Sequence, residues 1–364
     1  MLFNFRCRLA SVFLLFSLVL LGNAQASLPV SVTVPSDAPL GLHLAYLKEQ
    51  DSVLELAQVV AAYRDGQFIK GTSPVLTFGM GSKPVWIAFD VSNPTKSEQL
   101  RRLVVETSWL DKLDVYFLVE GAMVTAYALG DAQPFARRPI KRRFFEIEHL
   151  FGTSTTQVIM RIETSDPIVV PIYLRTLDEA NSAETWQNYS YGVLYGFLLG
   201  LMGFNLMLFS TLKSRNYLFY SAYLASYLLL NIVYTGHGFT WLWPEHTWFQ
   251  YMFPPFSMVM YALGGLLFAA QFLNTRVNFP RWHQGILRLS AIVVASLVLL
   301  PMMGYKSVQM ATAFTFVFVF CAIMPVLGVL SYRSGYKPAK YFLYGASVAM
   351  TGAFFTDLSV AGVL

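Results

Sequence analysis

Cysteine is nearly absent: the 364 residues contain two, Cys7 and Cys321. Neither falls between residues 27 and 189, so that stretch closes no disulfide and its fold must rest on its own core. Charge is scarce too. Asp, Glu, Lys and Arg make up 13% of the chain against 55% hydrophobic residues. A soluble domain carries roughly 25% charged residues, so much of this chain must meet lipid. Acidic residues are rarest late in the sequence: from Ser190 onward there are two, Glu245 and Asp357, against nine Lys and Arg. Residues 27–189 carry 19 acidic and 15 basic residues. The net charge of +5 is therefore no basic stripe for nucleic acid; the excess sits with the hydrophobic segments.

Catalytic signatures are missing as well. His43 and His149 lack metal-ligand spacing. Gly79-Met80-Gly81-Ser82-Lys83 lacks P-loop spacing and precedes no helical pattern, so it reads as a turn. There is no G-x-S-x-G elbow. These residues are expected to be no enzyme and to need no cofactor.

The parts that are present keep a clear order. Arg6 and Arg8 precede an apolar run, Leu9–Leu21, and Ala24-Gln25-Ala26 fits a cleavage site. About 20 apolar residues are needed to span a bilayer, so residues 1–26 read as a secretory signal cut after Ala26, with an uncleaved anchor as the alternative. Either way, the domain beyond Ala26 is exported.

Residues 28–188 form the first domain. Ser52-x-x-Glu55 suggests a capping box opening a helix through Leu54, Leu56, Val59 and Val60. Beyond it apolar residues alternate with period two. Strands are predicted at Val75–Phe78, Val85–Val91, Leu103–Thr107, Leu113–Val119, Met123–Leu129, Phe144–Glu148, Gln157–Ile162 and Ile168–Leu174. Short, evenly spaced strands without intervening helices predict an all-β jelly roll or sandwich. Trp86 and Trp109 are candidate stacking faces for a sugar, with core packing as the alternative. The loop Asp131–Arg143 brings Arg137 and Arg138 together with Lys141, Arg142 and Arg143. Clustered Arg grips carboxylates or phosphates, so Asp131, Arg137 and Arg138 join the ligand candidates; a solvated loop or a docking patch is the alternative.

Residues 189–364 read as a helical membrane domain. Six hydrophobic stretches occur, at about Ser190–Leu212, Tyr217–Gly236, Tyr251–Leu273, Ile286–Met303, Val308–Tyr332 and Tyr341–Gly362. The odd loops and their flanks carry Lys213, Arg215, Arg276, Arg281, Arg288, Arg333, Lys337 and Lys340; the even loops carry Lys306 alone. The positive-inside rule puts the odd loops in the cytoplasm and the first domain outside. Trp241, Trp243 and Trp248 fit an outer aromatic belt. Gly192, Gly196 and Gly200 suit close helix packing within the bundle, with homodimerisation as the alternative. Asn205 and Asn231 are expected to bond between helices. Asp357 is the acidic residue within a span, read as functional or as a paired structural group.

Several stretches resemble one bacterial family, the seven-transmembrane receptors with diverse intracellular signalling modules (7TMR-DISM). Pro84–Phe89, Trp109–Tyr116, Gly130-Asp131 and Pro134–Ile140 resemble its type-two extracellular domain. Tyr195–Gly200, Phe204-Asn205-Leu206, Lys213–Leu218 and Gly236–Pro244 resemble its membrane region. The resemblance implies a jelly roll similar to carbohydrate-binding modules, then seven helices and a cytoplasmic output module. Six helices are present where seven are expected, and no output motif is found after them. The reading is a multi-pass sensory receptor of a bacterial inner membrane. Its partners would be the lipid bilayer, a small periplasmic ligand (a carbohydrate or an acidic metabolite) and a signalling module in cis or in trans. The alternatives are an N-terminal fragment of a membrane-bound diguanylate cyclase or histidine kinase, and a transporter with a periplasmic accessory domain.

Overall fold

The structure, a computed structural model, describes residues 29–33, 38–50 and 52–360; the expected signal at residues 1–26 lies outside them. Twelve strands form among the described residues. One sheet runs β3 (Ile69–Lys70), β2 (Ala45–Lys48), β5 (Val85–Ser92), β10 (Thr156–Glu163), β7 (Lys112–Val119) and β8 (Ala122–Leu129), with β1 (Val30–Ser31) parallel to β5. Facing it are β12 (Ile172–Arg175), β6 (Gln99–Val105) and β9 (Phe145–Phe151), beside a pair of β11 (Ile168–Val170) and β4 (Leu76–Gly79).

The side-chain period of two explains the layers. Val85, Ile87, Phe89 and Val91 of β5 enter one core with Val115 and Phe117 of β7 and Leu103, Val105, Phe145 and Ile147 of the facing sheet. That shared core makes the domain a β-sandwich. The other face of β5 presents Trp86 and Ala88, which pack with Ile159 and Val59. Val59 belongs to α1 (Leu56–Arg64), so β5 is covered on both sides. Each large side chain so buried contributes about 1.5–3 kcal/mol.

Two expectations need correction. The helix cap is Glu55, not Ser52: the Glu55 amide donates to Gln58 Oε1 at 2.9 Å. Leu54, just before that cap, and Val59 pack in one cluster, a hydrophobic staple that fixes the helix start. The run Ile168–Leu174 is two strands. Pro171 offers no N–H to a ladder, and the chain changes partner there, β11 pairing with β4 and β12 with β6.

Six long helices come next: α2 (Leu177–Leu212), α3 (Arg215–Tyr234), α4 (Thr247–Phe272), α5 (Pro280–Met302), α6 (Lys306–Arg333) and α7 (Ala339–Val360). The five from α2 to α6 are long and apolar enough to cross a membrane. Ala262 and Leu266 of α4, Val293 of α5, Phe320 and Leu327 of α6 and Met350 of α7 share one core. A Cβ at Gly265 would sit 2.6 Å from the Phe320 ring, so glycine lets α4 and α6 approach.

The glycines of α2 behave otherwise. A Cβ at Gly192, Gly196 or Gly200 would meet nothing within 4 Å, so among the described residues no neighbouring helix packs closely on them. Asn205 and Asn231 do not bridge helices either. Each donates to its own helix four residues back, to Leu201 O at 2.8 Å and Tyr227 O at 2.9 Å, carbonyls within reach one turn away. Asp357 lies on α7, and its Oδ2 is buried without a hydrogen-bond partner among the described residues.

Candidate functional site

The two halves meet through a buried, largely polar interface. Its first part is the foot of α2. The Glu179 amide donates to Thr176 Oγ1 at 3.2 Å and the Thr176 amide to Glu179 Oε2 at 2.8 Å, so a capping box starts the helix on the sandwich. Arg102 Nη1 donates to Asn181 Oδ1 at 3.1 Å, Arg142 pairs with Glu184 at 2.8 Å, and Arg143 Nη2 donates to Gln187 Oε1. The cavity left beside Arg143, Glu106 and Gln187 is about 10 Å3, room for roughly one water. The helix then continues through the boundary expected at 188/189 without a break. Its 36 residues span about 54 Å at 1.5 Å each. One rigid element thus belongs to both halves.

The second part is the loop Asp131–Arg143. It leaves β8 through Gly130, whose φ of 138° and approach to Asp111 O, 2.1 Å from where a Cβ would stand, admit only glycine. The Phe135 amide donates to Pro244 O at 2.9 Å. The Phe135 ring packs edge-on to Phe239 at 5.8 Å, in a cluster with Val233 and Trp243. Asp131 Oδ2 accepts from Gln250 Nε2 at 3.1 Å, and Gln250 Oε1 accepts from Trp243 Nε1 at 3.2 Å. Arg143 Nη1 donates to Thr235 O at 3.2 Å, with its guanidinium 4.8 Å from the Tyr191 ring. Nearby, Ser108 Oγ donates to Tyr234 O at 2.9 Å, and Trp109 lies 5.9 Å from the Tyr234 ring. Gly236 has φ of +80°, and a Cβ there would stand 2.6 Å from Ser108 Cβ.

The third part is electrostatic. Asp111, Asp131 and Asp166 converge on Lys306 at the outer end of α6. Burial pushes the Asp131 carboxyl well above its ordinary range, and the Asp111 and Asp166 charges push it further. Burial, aided by Asp111 and opposed by Lys306, raises Asp166 to about 7. Lys306 Nζ donates to Tyr251 O and sits 4.2 Å from that ring. Met80, from the glycine-rich turn, packs against the membrane core.

The residues singled out as ligand contacts are placed by this geometry. Trp86 is 2% exposed; its Nε1 donates to Glu49 Oε1 at 2.8 Å beneath α1, so it offers no stacking face. Trp109 is half-buried, and its Nε1 donates to Pro167 O at 2.9 Å. Asp131 is held by Gln250. Arg138 is buried, donating from Nη1 to the carbonyls of Arg142 at 2.8 Å and Arg143 at 2.7 Å, with Phe145 4.3 Å below its guanidinium. Burial lowers its pKa to about 10. Arg137 is exposed. Trp109, Asp131 and Arg138 therefore come together as interface residues, while Trp86 and Arg137 stand apart. Trp243 is buried in the same interface rather than in an aromatic belt; Trp241 and Trp248 are exposed.

Sequence reasoning missed Ser108, Asp166, Gly236, Gln250 and the foot of α2. Two signals were present: the capping pattern Thr176-Leu177-Asp178-Glu179, and a glutamine in the first turn of an apolar span.

A two-part architecture, an outer sandwich docked on a membrane bundle, is what these contacts define. A family described as 7TM diverse intracellular signalling matches residues 187–364, and its extracellular domain of the second type matches residues 41–176. The chain belongs to the 7TMR-DISM family. No curated protein matches it. The family and the apolar helices make it a multi-pass membrane protein with its N-terminal domain outside.

Proposed function

We propose that this protein is a sensory receptor of the inner membrane whose sandwich binds a small periplasmic ligand and whose docking interface carries the response to the bundle. One observation supports the reading above others: Asp131, Arg143 and Ser108 of the sandwich bond directly to residues 234–250 of the bundle. A ligand with different affinity for the docked and the loosened arrangement shifts their populations, and a tenfold difference amounts to about 1.4 kcal/mol. A carbohydrate or an acidic metabolite is the proposed ligand, the exposed Arg137 and Lys141 being available to a carboxylate. The response passes to a cytoplasmic signalling module in cis or in trans, so the residues described act as receptor rather than enzyme. A second copy packed along Gly192, Gly196 and Gly200, which face open space, completes the proposal.

The test uses the full chain in nanodiscs, screened against sugars and organic acids by thermal shift. A binder should change hydrogen exchange at Phe135, and Arg137→Ala should weaken an acidic one. A binder that stabilises the sandwich while exchange at Phe135 stays constant defeats the transmission scheme.

A further inference from the structure

On the lipid face, near the inner end of the bundle, a groove opens between α5 and α6. Arg281, Trp282, Gly285, Ile286 and Leu289 of α5 line it with Ile323 of α6, and its volume is about 290 Å3. Arg281, Trp282 and Gly285 are exposed, whereas Ile286 is buried at the floor. Its lining is divided by chemistry. One cation and an indole stand at the first turn of α5; everything beyond them is apolar or glycine. Arg281 to Leu289 covers about 12 Å of helix axis at 1.5 Å per residue, the distance from headgroup level into hydrocarbon.

The charge around the groove is one-sided. From His246 to Thr356 the chain contains no Asp or Glu. The helices packed on α5 are α4, α6 and the short Thr275–Asn278 turn of helix, all within that stretch. The acidic sandwich lies at the opposite end of the bundle. Among the described residues no carboxylate pairs with Arg281, and the inner leaflet offers negative charge there as anionic phospholipid.

We propose that this groove binds an anionic phospholipid of the cytoplasmic leaflet. Its phosphate lies against Arg281, whose planar fork matches phosphate oxygens. Trp282 sits at the headgroup boundary, and one acyl chain runs along Gly285, Leu289 and Ile323. Gly285 leaves space for that chain: a Cβ there meets nothing within 4 Å.

The test uses the purified, delipidated full chain. Phosphatidylglycerol and phosphatidylcholine with identical acyl chains are titrated separately, and native mass spectrometry counts bound lipid. The wild type should prefer phosphatidylglycerol. Arg281→Gln should weaken phosphatidylglycerol roughly tenfold, the weight of one charge-assisted contact, and leave phosphatidylcholine unchanged. Gly285→Leu should weaken both lipids, since its side chain fills the groove without straining the helix. Arg333→Gln, an inner-side cation outside the groove, should keep the preference, and inorganic phosphate should not compete. Circular dichroism and monodispersity report that each variant folds. Equal affinity for the two lipids, or an Arg281→Gln variant that keeps its preference, overturns the proposal. So does disulfide crosslinking of Gly285→Cys chains to one another in preference to lipid binding, which gives the groove to a second copy.

Discussion

Replacing Gly236 by alanine tests the docking interface at its tightest point. Two costs arise at once. A φ of +80° suits glycine but costs an L residue about 1–2 kcal/mol. The added methyl would also stand 2.6 Å from Ser108 Cβ, and such overpacking costs about 1–3 kcal/mol. Both fall on the docked arrangement, because separating the halves relieves the clash and frees the loop. Gly236→Ala should thus weaken docking by about 2–5 kcal/mol. The assay is exchange of the Phe135 amide, which donates across the interface to Pro244 O. Every 1.4 kcal/mol is a factor of ten, so exchange should accelerate roughly 30- to 5,000-fold. Ser108→Gly alone loses a hydrogen bond to Tyr234 O, worth about 1 kcal/mol. Combined with Gly236→Ala it removes the atom that clashes, so the double variant should dock about 1–3 kcal/mol better than the sum of the singles predicts. Additivity within about 0.5 kcal/mol would refute the close approach of Ser108 and Gly236.

The same geometry yields three more expected outcomes. Arg143→Gln removes the donors to Thr235 O and Gln187, and should cost about 1.5–3 kcal/mol in protection of the α2 foot, read by exchange at Glu184 to Gln187. Asp166, raised from 3.8 to about 7, keeps its proton when docked and loses it when wetted. The docked state therefore binds more protons between those values. Docking should be strongest in acid and weaken as the pH rises from about 4 to 7, with Asp131 acting in the same direction. Asp166→Asn should flatten that slope in exchange rates corrected for intrinsic chemistry. Trp86→Phe leaves Glu49 without its indole donor and should destabilise the sandwich by about 1–3 kcal/mol in thermal unfolding, with exchange at Phe135 unchanged.

The sandwich was largely legible because its strands alternate. Val85 to Val91 puts Val, Ile, Phe and Val on one face, which is enough to announce a half-buried strand. Alternation cannot say what covers the opposite face, so Trp86 could be placed on that face but not under α1. Short β2 and β3 carried too few residues to show a period. The start of α2 was hidden because its first three turns are polar: they face a sandwich, and hydropathy registers only the part that meets lipid. Arg138 was the hardest to read. In sequence it stands in a basic run typical of a solvated loop, and its burial depends on Phe239, a hundred residues away.

The basic run and the acidic triad share one cause. A receptor of this plan must hold its outer domain firmly enough to transmit, yet release it for a few kcal/mol. Polar contacts around the small Phe135, Val233, Phe239 and Trp243 cluster limit both the strength of docking and the apolar surface bared on opening. Asp131, Arg143 and Ser108 lose hydrogen bonds to water on docking and regain them from Gln250, Thr235 and Tyr234, so the net gain per contact is only about 1 kcal/mol. Burying Asp166, which must hold a proton when docked, together with Lys306 reduces it further. The continuous α2 prevents the sandwich from drifting away once the loop contacts loosen. On the proposed scheme, opening would be a rocking of the sandwich about the foot of α2, felt by α3 and α4 at residues 234–250.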